Sequence, residues 1–84
     1  MEISQQFAEA AERVQKLTTR PSNEILLKLY ALYKQATEGN VTGERPGGFD
    51  FKGAAKYDAW ASLKDTPSNQ AMKEYIDLVS SLTS

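Results

Sequence analysis

The chain contains no cysteine and no histidine among its 84 residues. Without cysteine, disulfide bonds and thiol chemistry are unavailable, so the fold must be held together by packing. Without histidine, the commonest general base and the commonest metal ligand are both missing, which excludes Ser–His, Cys–His and His-cluster sites. Carboxylate pairs could still act as acid and base, but the eleven acidic residues are scattered, mostly on faces predicted to be solvated. We therefore expect neither an enzyme nor a metal site.

The chain also lacks a surplus of positive charge and a long apolar run. Ten basic residues against eleven acidic ones leave a net charge of −1, whereas a general nucleic-acid binder normally has a marked basic excess. No apolar run approaches the ~18 residues that span a bilayer, and the amino-terminal MEISQQF lacks the features of a secretion signal. With 40% hydrophobic and 25% charged residues, the composition predicts one small folded domain over residues 1–84, which we expect in the cytoplasm.

Four segments have helical periodicity, and no segment alternates convincingly like a strand. The first has an apolar stripe when wound at roughly 100° per residue, formed by Ile3, Phe7, Ala10, Ala11, Val14 and Leu17. It should end before Pro21, which disfavours helical geometry at the preceding residue. Ser22 can cap the second helix, which should run to about Glu38 because Gly39 supplies a stop.

The third helix is predicted from about Gly53 to Lys64. The fourth should begin with Thr66 as its cap and Pro67 at its first helical position. Its broad apolar face consists of Ala71, Met72, Tyr75, Ile76, Leu78, Val79 and Leu82. The predicted architecture is all-α, a small bundle of four helices.

A long connection, NVTGERPGGFDF, joins the second and third predicted helices. Connections of this length in a small domain are usually functional or disordered. We expect order, with Val41, Phe49 and Phe51 acting as hydrophobic anchors.

The second helix has more apolar surface than one core contact requires. Its core stripe comprises Ile25, Leu29, Leu32 and Ala36, and the extra apolar arc beside it comprises Leu26, Leu27, Tyr30 and Ala31. Only Lys28 and Gln35 occupy a clearly polar strip. Lys34 lies in the middle of the extra arc, one turn after Tyr30.

A second lysine, Lys56, likewise lies on an apolar face, that of the third helix. Lys56, Trp60 and Leu63 are spaced i, i+4, i+7 and therefore share a face. One interpretation is that both lysines snorkel, with the stem on apolar surface and the ammonium in water. The other is a half-apolar cavity whose lysines bind an anion, for which a phosphate is well suited.

Three tyrosines could contribute hydroxyl donors or a stacking surface to such a cavity, namely Tyr30, Tyr33 and Tyr75. Tyr75 lies in the middle of the fourth helix's apolar stripe, so we expect it in the core. The residues alone thus indicate a ligand with an apolar part and a phosphorylated part.

Two long runs of the sequence have a recognisable pattern. PSNEILLKLYALYKQATEG and ERPGGFDFKGAAKYDAWASLK closely resemble the signature segments of the acyl-CoA-binding protein family, and FAEAAERVQKL and AMKEYI are similar to its first and last helices. The resemblance covers nearly the whole chain. It implies a four-helix up-down-down-up bundle that binds one long-chain fatty acyl-CoA ester without catalysis and without a cofactor.

The resemblance also implies residue roles in this chain. Tyr30 and Lys34 would hold the 3′-phosphate of the adenosine, joined by Lys56, while Tyr33 and Tyr75 would contact the head group or the start of the acyl chain. On this view Lys34 is unpaired within the chain because its partner arrives with the ligand.

The remaining implied contacts are apolar or lie at the edge of the head group. Ala11 would border the adenine, and Leu26 and Leu27 would line the acyl groove. Gln15 stands where many members carry a basic residue, which should weaken binding of the phosphates, although Arg20 is a basic residue nearby.

The implied function is that of an acyl-CoA carrier and pool former in fatty acid metabolism. We expect a monomer that makes transient contacts with acyl-CoA-using enzymes or membranes. Two other functions stay open: an interaction bundle whose extra apolar arc docks a partner helix, and an esterase acting on the same ligand. A membrane-surface role is weaker, because no basic amphipathic face stands out.

Overall fold

The computed structural model describes residues 2–83 and contains four α-helices, with no strand in that range. They are α1 (Ile3–Gln15), α2 (Asn23–Glu38), α3 (Phe51–Ala61) and α4 (Ser68–Thr83). The predicted all-α class and the number of helices are confirmed.

The ends of α2 follow the sequence signals. The Ser22 hydroxyl accepts a hydrogen bond from the Ile25 backbone N–H at 3.3 Å and so caps the first turn. At the other end Gly39 has a φ of 82°, a conformation that glycine adopts without steric cost, and the helix stops there.

Helix α3 begins earlier than predicted, because the cap was missed. The Asp50 carboxylate accepts a hydrogen bond from the Gly53 backbone N–H at 2.9 Å, so the helix starts at Phe51. A side chain at Gly53 would require that carboxylate to move away from its capping position. The regular helix also ends earlier, at Ala61, after which tighter turns continue toward Lys64, whose N–H donates to the Ala61 carbonyl at 3.2 Å.

The start of α4 is shifted by one residue from the prediction. The first helical residue is Ser68, and the Pro67 carbonyl accepts from the Ala71 N–H at 3.0 Å. Pro67 therefore takes the capping position that was predicted for Thr66. A proline fits there because its missing N–H would have had no partner within the helix.

The core lies where α4 packs against α1 and α2. Its buried members are Phe7, Ala10, Leu29, Leu32, Ala36, Ala71, Tyr75 and Val79. The Phe7 ring meets Tyr75 edge-on at 5.0 Å and stacks on Tyr33 at 5.3 Å between centroids. Tyr75 is only 4% exposed, as expected from its place in the stripe.

Contacts near the helix ends show in which directions the four helices run. Leu82, near the end of α4, lies beside Leu17, which follows α1, so α1 and α4 run the same way. The Ser68 hydroxyl at the start of α4 donates to the Ala36 carbonyl near the end of α2, so these two are antiparallel. The Trp60 indole N–H near the end of α3 donates to the Gly39 carbonyl just after α2, so α2 and α3 are parallel. The order is therefore up-down-down-up.

The connection between α2 and α3 is held differently from the expectation. Phe49 and Phe51 are 92% and 74% exposed, so the prediction that they anchor it is wrong, whereas Val41 is half-buried. The two phenylalanines contact each other edge-on, with ring centroids 6.4 Å apart. Polar contacts tether the segment instead.

The main tether is an ion pair with α3. The Arg45 guanidinium donates to both carboxylate oxygens of Asp58, at 2.8 and 3.0 Å, and the Tyr57 hydroxyl donates to the Gly43 carbonyl at 3.2 Å. Planar bidentate pairing of this kind orients both partners. Residues that read as surface charges in the sequence thus fix the connection to α3.

Gln35 is fully buried, which contradicts its assignment to a polar strip. Its amide nitrogen donates to the side-chain oxygen of Asn40 and to the Thr66 carbonyl, both at 2.9 Å. The Asn40 oxygen also accepts from the backbone N–H of Asp65, which has a positive φ of 70°. A buried amide needs such partners, and here they join the end of α2 to the segment that precedes α4.

Candidate functional site

A groove between the parallel helices α2 and α3 forms the candidate site. It holds a cavity of about 380 Å³ lined by Arg20, Asn23, Leu26, Leu27, Tyr30, Lys52, Ala55 and Lys56. Four residues predicted for the site therefore come together here: Leu26, Leu27, Tyr30 and Lys56. The cavity has an apolar wall of leucines beside a cationic rim.

Small side chains on α3 leave the groove open. Ala55 lines the first cavity, and Ala59, one turn later, lines a second cavity of about 310 Å³ that also touches Ala31 and Leu63. Leu27 borders both cavities. Alanines cannot fill the space beside the extra apolar arc of α2, so that arc stays partly open to ligand or solvent.

Both lysines singled out from the sequence converge on the Tyr30 ring. The Lys56 ammonium nitrogen lies 5.3 Å from the ring centroid, and that of Lys34 lies 6.0 Å from it. The Lys34 nitrogen is also 5.6 Å from the Trp60 ring. The two ammonium groups therefore lie near the same tyrosine ring, at distances typical of cation–π contact. Lys56 and Tyr30 line the 380 Å³ cavity, whereas Lys34 does not.

Lys34 is not unpaired, contrary to the expectation. Its ammonium donates a 2.6 Å hydrogen bond to the Glu38 carboxylate, one turn further along α2. This hydrogen bond, opposed by partial desolvation and helped by the charge of Glu38, raises the pKa of Lys34 above its ordinary value. The spacing i, i+4 brings the two side chains together. Lys56 has no ion pair within the described residues.

Trp60 is fixed as part of this cluster. Its indole N–H donates to the Gly39 carbonyl at 2.8 Å, which ties α3 to the end of α2. The tryptophan ring is half-buried. The shared face predicted for Lys56, Trp60 and Leu63 is thus divided, because Leu63 packs against the core while Lys56 is exposed.

The other predicted site residues lie outside the 380 Å³ cavity. Tyr33 is exposed, and its ring centroid lies 6.0 Å from that of Tyr75. The pKa of Tyr75 is raised, mainly by burial and to a smaller extent by the nearby Tyr33. Ala11 is half-buried against the core and Gln15 is exposed, both on α1. The ligand contacts expected of these four residues stay predictions.

Sequence reasoning missed three residues that line the groove, Asn23, Lys52 and Ala55. Lys52 precedes Lys56 by four residues on α3, so helical spacing could have indicated that both lie on one side. Asn23 accepts a hydrogen bond from the Arg20 guanidinium at 3.2 Å. No pattern in the sequence signals this contact across the start of α2.

Two negative findings apply to residues 2–83. No helix there has the length and apolar character required to cross a bilayer. No cluster of three or more histidine, cysteine or acidic side chains is arranged to hold a metal ion in that range.

Comparisons of the sequence and of the structure with known proteins all lead to the same family. The pattern of the family described as "Acyl CoA binding protein" matches residues 4–79. The acyl-CoA-binding protein of Brassica napus is 51% identical over 82 residues, covering 98% of this chain and 89% of that protein. The crystal structure of Oryza sativa acyl-CoA-binding protein 2 superposes with a TM-score of 0.92 at 43% identity, covering 98% of this chain and 91% of that one.

One relative is much longer than this chain. Enoyl-CoA delta isomerase 2 of Rattus norvegicus is 52% identical over 80 residues, which make up 95% of this chain but only 20% of that protein. The match therefore concerns one segment of the isomerase. Because the family pattern spans most of the chain and relatives of similar length agree over nearly all of it, the chain belongs to the acyl-CoA-binding protein family.

Proposed function

We propose that this protein binds long-chain fatty acyl-CoA esters non-covalently and acts as their carrier and pool former inside the cell. One observation supports this most strongly: the ammonium groups of Lys34 and Lys56 both lie near the ring of Tyr30, and Tyr30 lines a groove whose wall is apolar. A ligand that carries phosphates at one end and a hydrocarbon chain at the other complements both parts.

In this proposal the cationic end of the groove holds the phosphorylated head group. Lys34 and Lys56 bind the 3′-phosphate, with the Tyr30 hydroxyl as a further donor. A lysine ammonium binds phosphate as a compact point charge. Arg20 and Lys52, on the rim of the same cavity, add positive charge where the other phosphates of the head group would pass, and Arg20 could compensate for the uncharged Gln15.

The acyl chain occupies the apolar part of the groove, against Leu26 and Leu27. Burying about eight methylene groups at about 0.8 kcal/mol each supplies roughly 6 kcal/mol before ordering costs. That alone does not give tight binding, so the charged contacts must supply the rest. Tyr33 and Tyr75 contact the head group or the start of the chain, and Ala11 borders the adenine.

Calorimetry with three ligands tests the proposal. Palmitoyl-CoA should bind far more tightly than palmitate or free CoA, because each fragment makes only one of the two kinds of contact. The ester should also be recovered intact after incubation, which would exclude the esterase alternative. Equal affinity for palmitate and palmitoyl-CoA would contradict the proposal.

Lysine variants locate the head group. We expect Lys34→Ala and Lys56→Ala each to weaken palmitoyl-CoA binding by about tenfold or more, since each removes a charge-assisted hydrogen bond. Lys73→Ala is the matched control, because Lys73 is exposed on α4 and α4 makes no packing contact with α3. A partner-docking bundle would instead tolerate Lys34→Ala and depend on Leu27 and Tyr30.

A further inference from the structure

Glu38 lies at the carboxyl end of α2, where it pairs with Lys34. Its carboxylate is 2.6 Å from the Lys34 ammonium, and the two side chains are 53% and 31% exposed. The same ammonium lies near the Trp60 and Tyr30 rings. A negative group belonging to the chain thus occupies the position beside Lys34 that an incoming anion would use.

The position of this carboxylate is unfavourable for the helix itself. The last turn of an α-helix has a negative electrostatic potential, where acidic side chains are disfavoured. Glu38 is the last residue of α2, and no basic residue lies in that turn. Its favourable electrostatic contact in the structure is Lys34. The effect of Glu38 should therefore be sought in its pairing with that lysine.

We infer that Glu38 competes with the phosphate of the ligand for Lys34, and that it thereby lowers the affinity for acyl-CoA and speeds its release. This inference rests on the proposed function. A phosphate at Lys34 must either displace the carboxylate, which breaks the ion pair, or bind beside it, which brings two negative charges together. Either route makes the bound state less favourable than it would be without Glu38.

The competition acts on one of the two lysines. Lys56 makes no ion pair within residues 2–83, so its ammonium is available to the ligand from the start. The free protein would therefore capture the head group through Lys56 and exchange Glu38 for phosphate at Lys34. Such an arrangement suits a carrier, because the Lys34–Glu38 ion pair can form again when the ligand leaves.

The test is Glu38→Gln, which keeps the side-chain shape and removes the charge. We expect palmitoyl-CoA to bind about two- to fivefold more tightly to this variant by calorimetry, with a correspondingly slower release in stopped-flow measurements. Glu9→Gln is the matched control and should leave the affinity unchanged. Glu9 is exposed on α1, two residues and roughly 200° around the helix from Ala11.

A double-mutant cycle separates the ion pair from a general charge effect. In a Lys34→Met background, Glu38→Gln should no longer tighten binding. The inference is overturned if Glu38→Gln binds no more tightly than the wild type, or if its gain persists without Lys34. A wild-type protein that fails to bind palmitoyl-CoA would overturn the proposed function as well, so the two failures are distinguishable.

Discussion

The two sides of α2 carry similar apolar side chains but end up in very different environments. Leu29 and Leu32 face α1 and α4 and are buried, whereas Leu26 and Leu27 face α3 and are half-exposed beside a cavity of about 380 Å³. The difference comes from the opposing helix. α4 contributes Tyr75 and Val79 to the core on one side, whereas Ala55 and Ala59 of α3 border the cavities on the other. Apolar surface on a helix therefore becomes core or binding groove according to the size of what faces it.

The most sensitive test of this comparison is a pair of identical substitutions on the two sides of α2. Leu32 is 1% exposed, so Leu32→Ala should destabilise the fold by about 3 kcal/mol through lost burial and the cavity left behind. Leu27→Ala should cost about 1 kcal/mol or less, because the site is already partly open, yet it should weaken palmitoyl-CoA binding. Urea denaturation and calorimetry measure both effects. Equal losses of stability would mean that the groove is part of the core.

The helices, and the position of each lysine beside an aromatic residue of its own helix, could be predicted because both depend on local periodicity. That Lys34 and Lys56 lie near one ring depends on the packing of α2 against α3, which the family resemblance implied and periodicity does not. A 3.6-residue period places Lys34 one turn after Tyr30 whatever the rest of the chain does. The same reasoning could have paired Lys34 with Glu38, since both lie on α2 at i, i+4.

What could not be predicted depends on contacts distant in sequence. Gln35 reads as polar surface, but its amide nitrogen donates to Asn40 and to the Thr66 carbonyl, while its Oε1 has no hydrogen-bond partner within the described residues. Phe49 and Phe51 read as anchors, yet both rings are exposed, and the Arg45–Asp58 ion pair ties the connection to α3. Burial of these side chains is decided by tertiary packing, which periodicity does not specify.

The tether between the connection and α3 gives a smaller, pH-dependent prediction. Hydrogen bonds from Arg45 lower the pKa of Asp58 below its ordinary value of 3.8. The interaction that lowers this pKa stabilises the folded state at pH values above the pKa of the unfolded state. The stabilisation is lost as the pH falls through the pKa of Asp58 in the folded state, because the carboxylate becomes protonated. Asp58→Asn should therefore lower the melting temperature near neutral pH, by less than Leu32→Ala does, and the difference should vanish once the pH is low enough to protonate Asp58 in the folded state.

The control for this variant is Asp77→Asn, which removes an exposed carboxylate from α4 that has no ion pair within the described residues. It should leave the melting temperature nearly unchanged near neutral pH. A difference between wild type and Asp58→Asn that persists undiminished in acid would show that the tether acts through shape and not through charge.

The smallest expected effect comes from the exposed phenylalanine of the connection. Phe49 is 92% exposed, so Phe49→Ser has almost no burial to lose and should change the free energy of unfolding by less than about 0.5 kcal/mol. The comparison is Phe7→Ala, where a buried phenylalanine of the core should cost about 3–5 kcal/mol. Chemical denaturation of both variants measures the contrast. A loss above about 1 kcal/mol for Phe49→Ser would mean that this ring is packed in solution after all, as an anchor of the connection would be. A negligible loss would mean that the Arg45–Asp58 pair and the other polar contacts are sufficient to hold it.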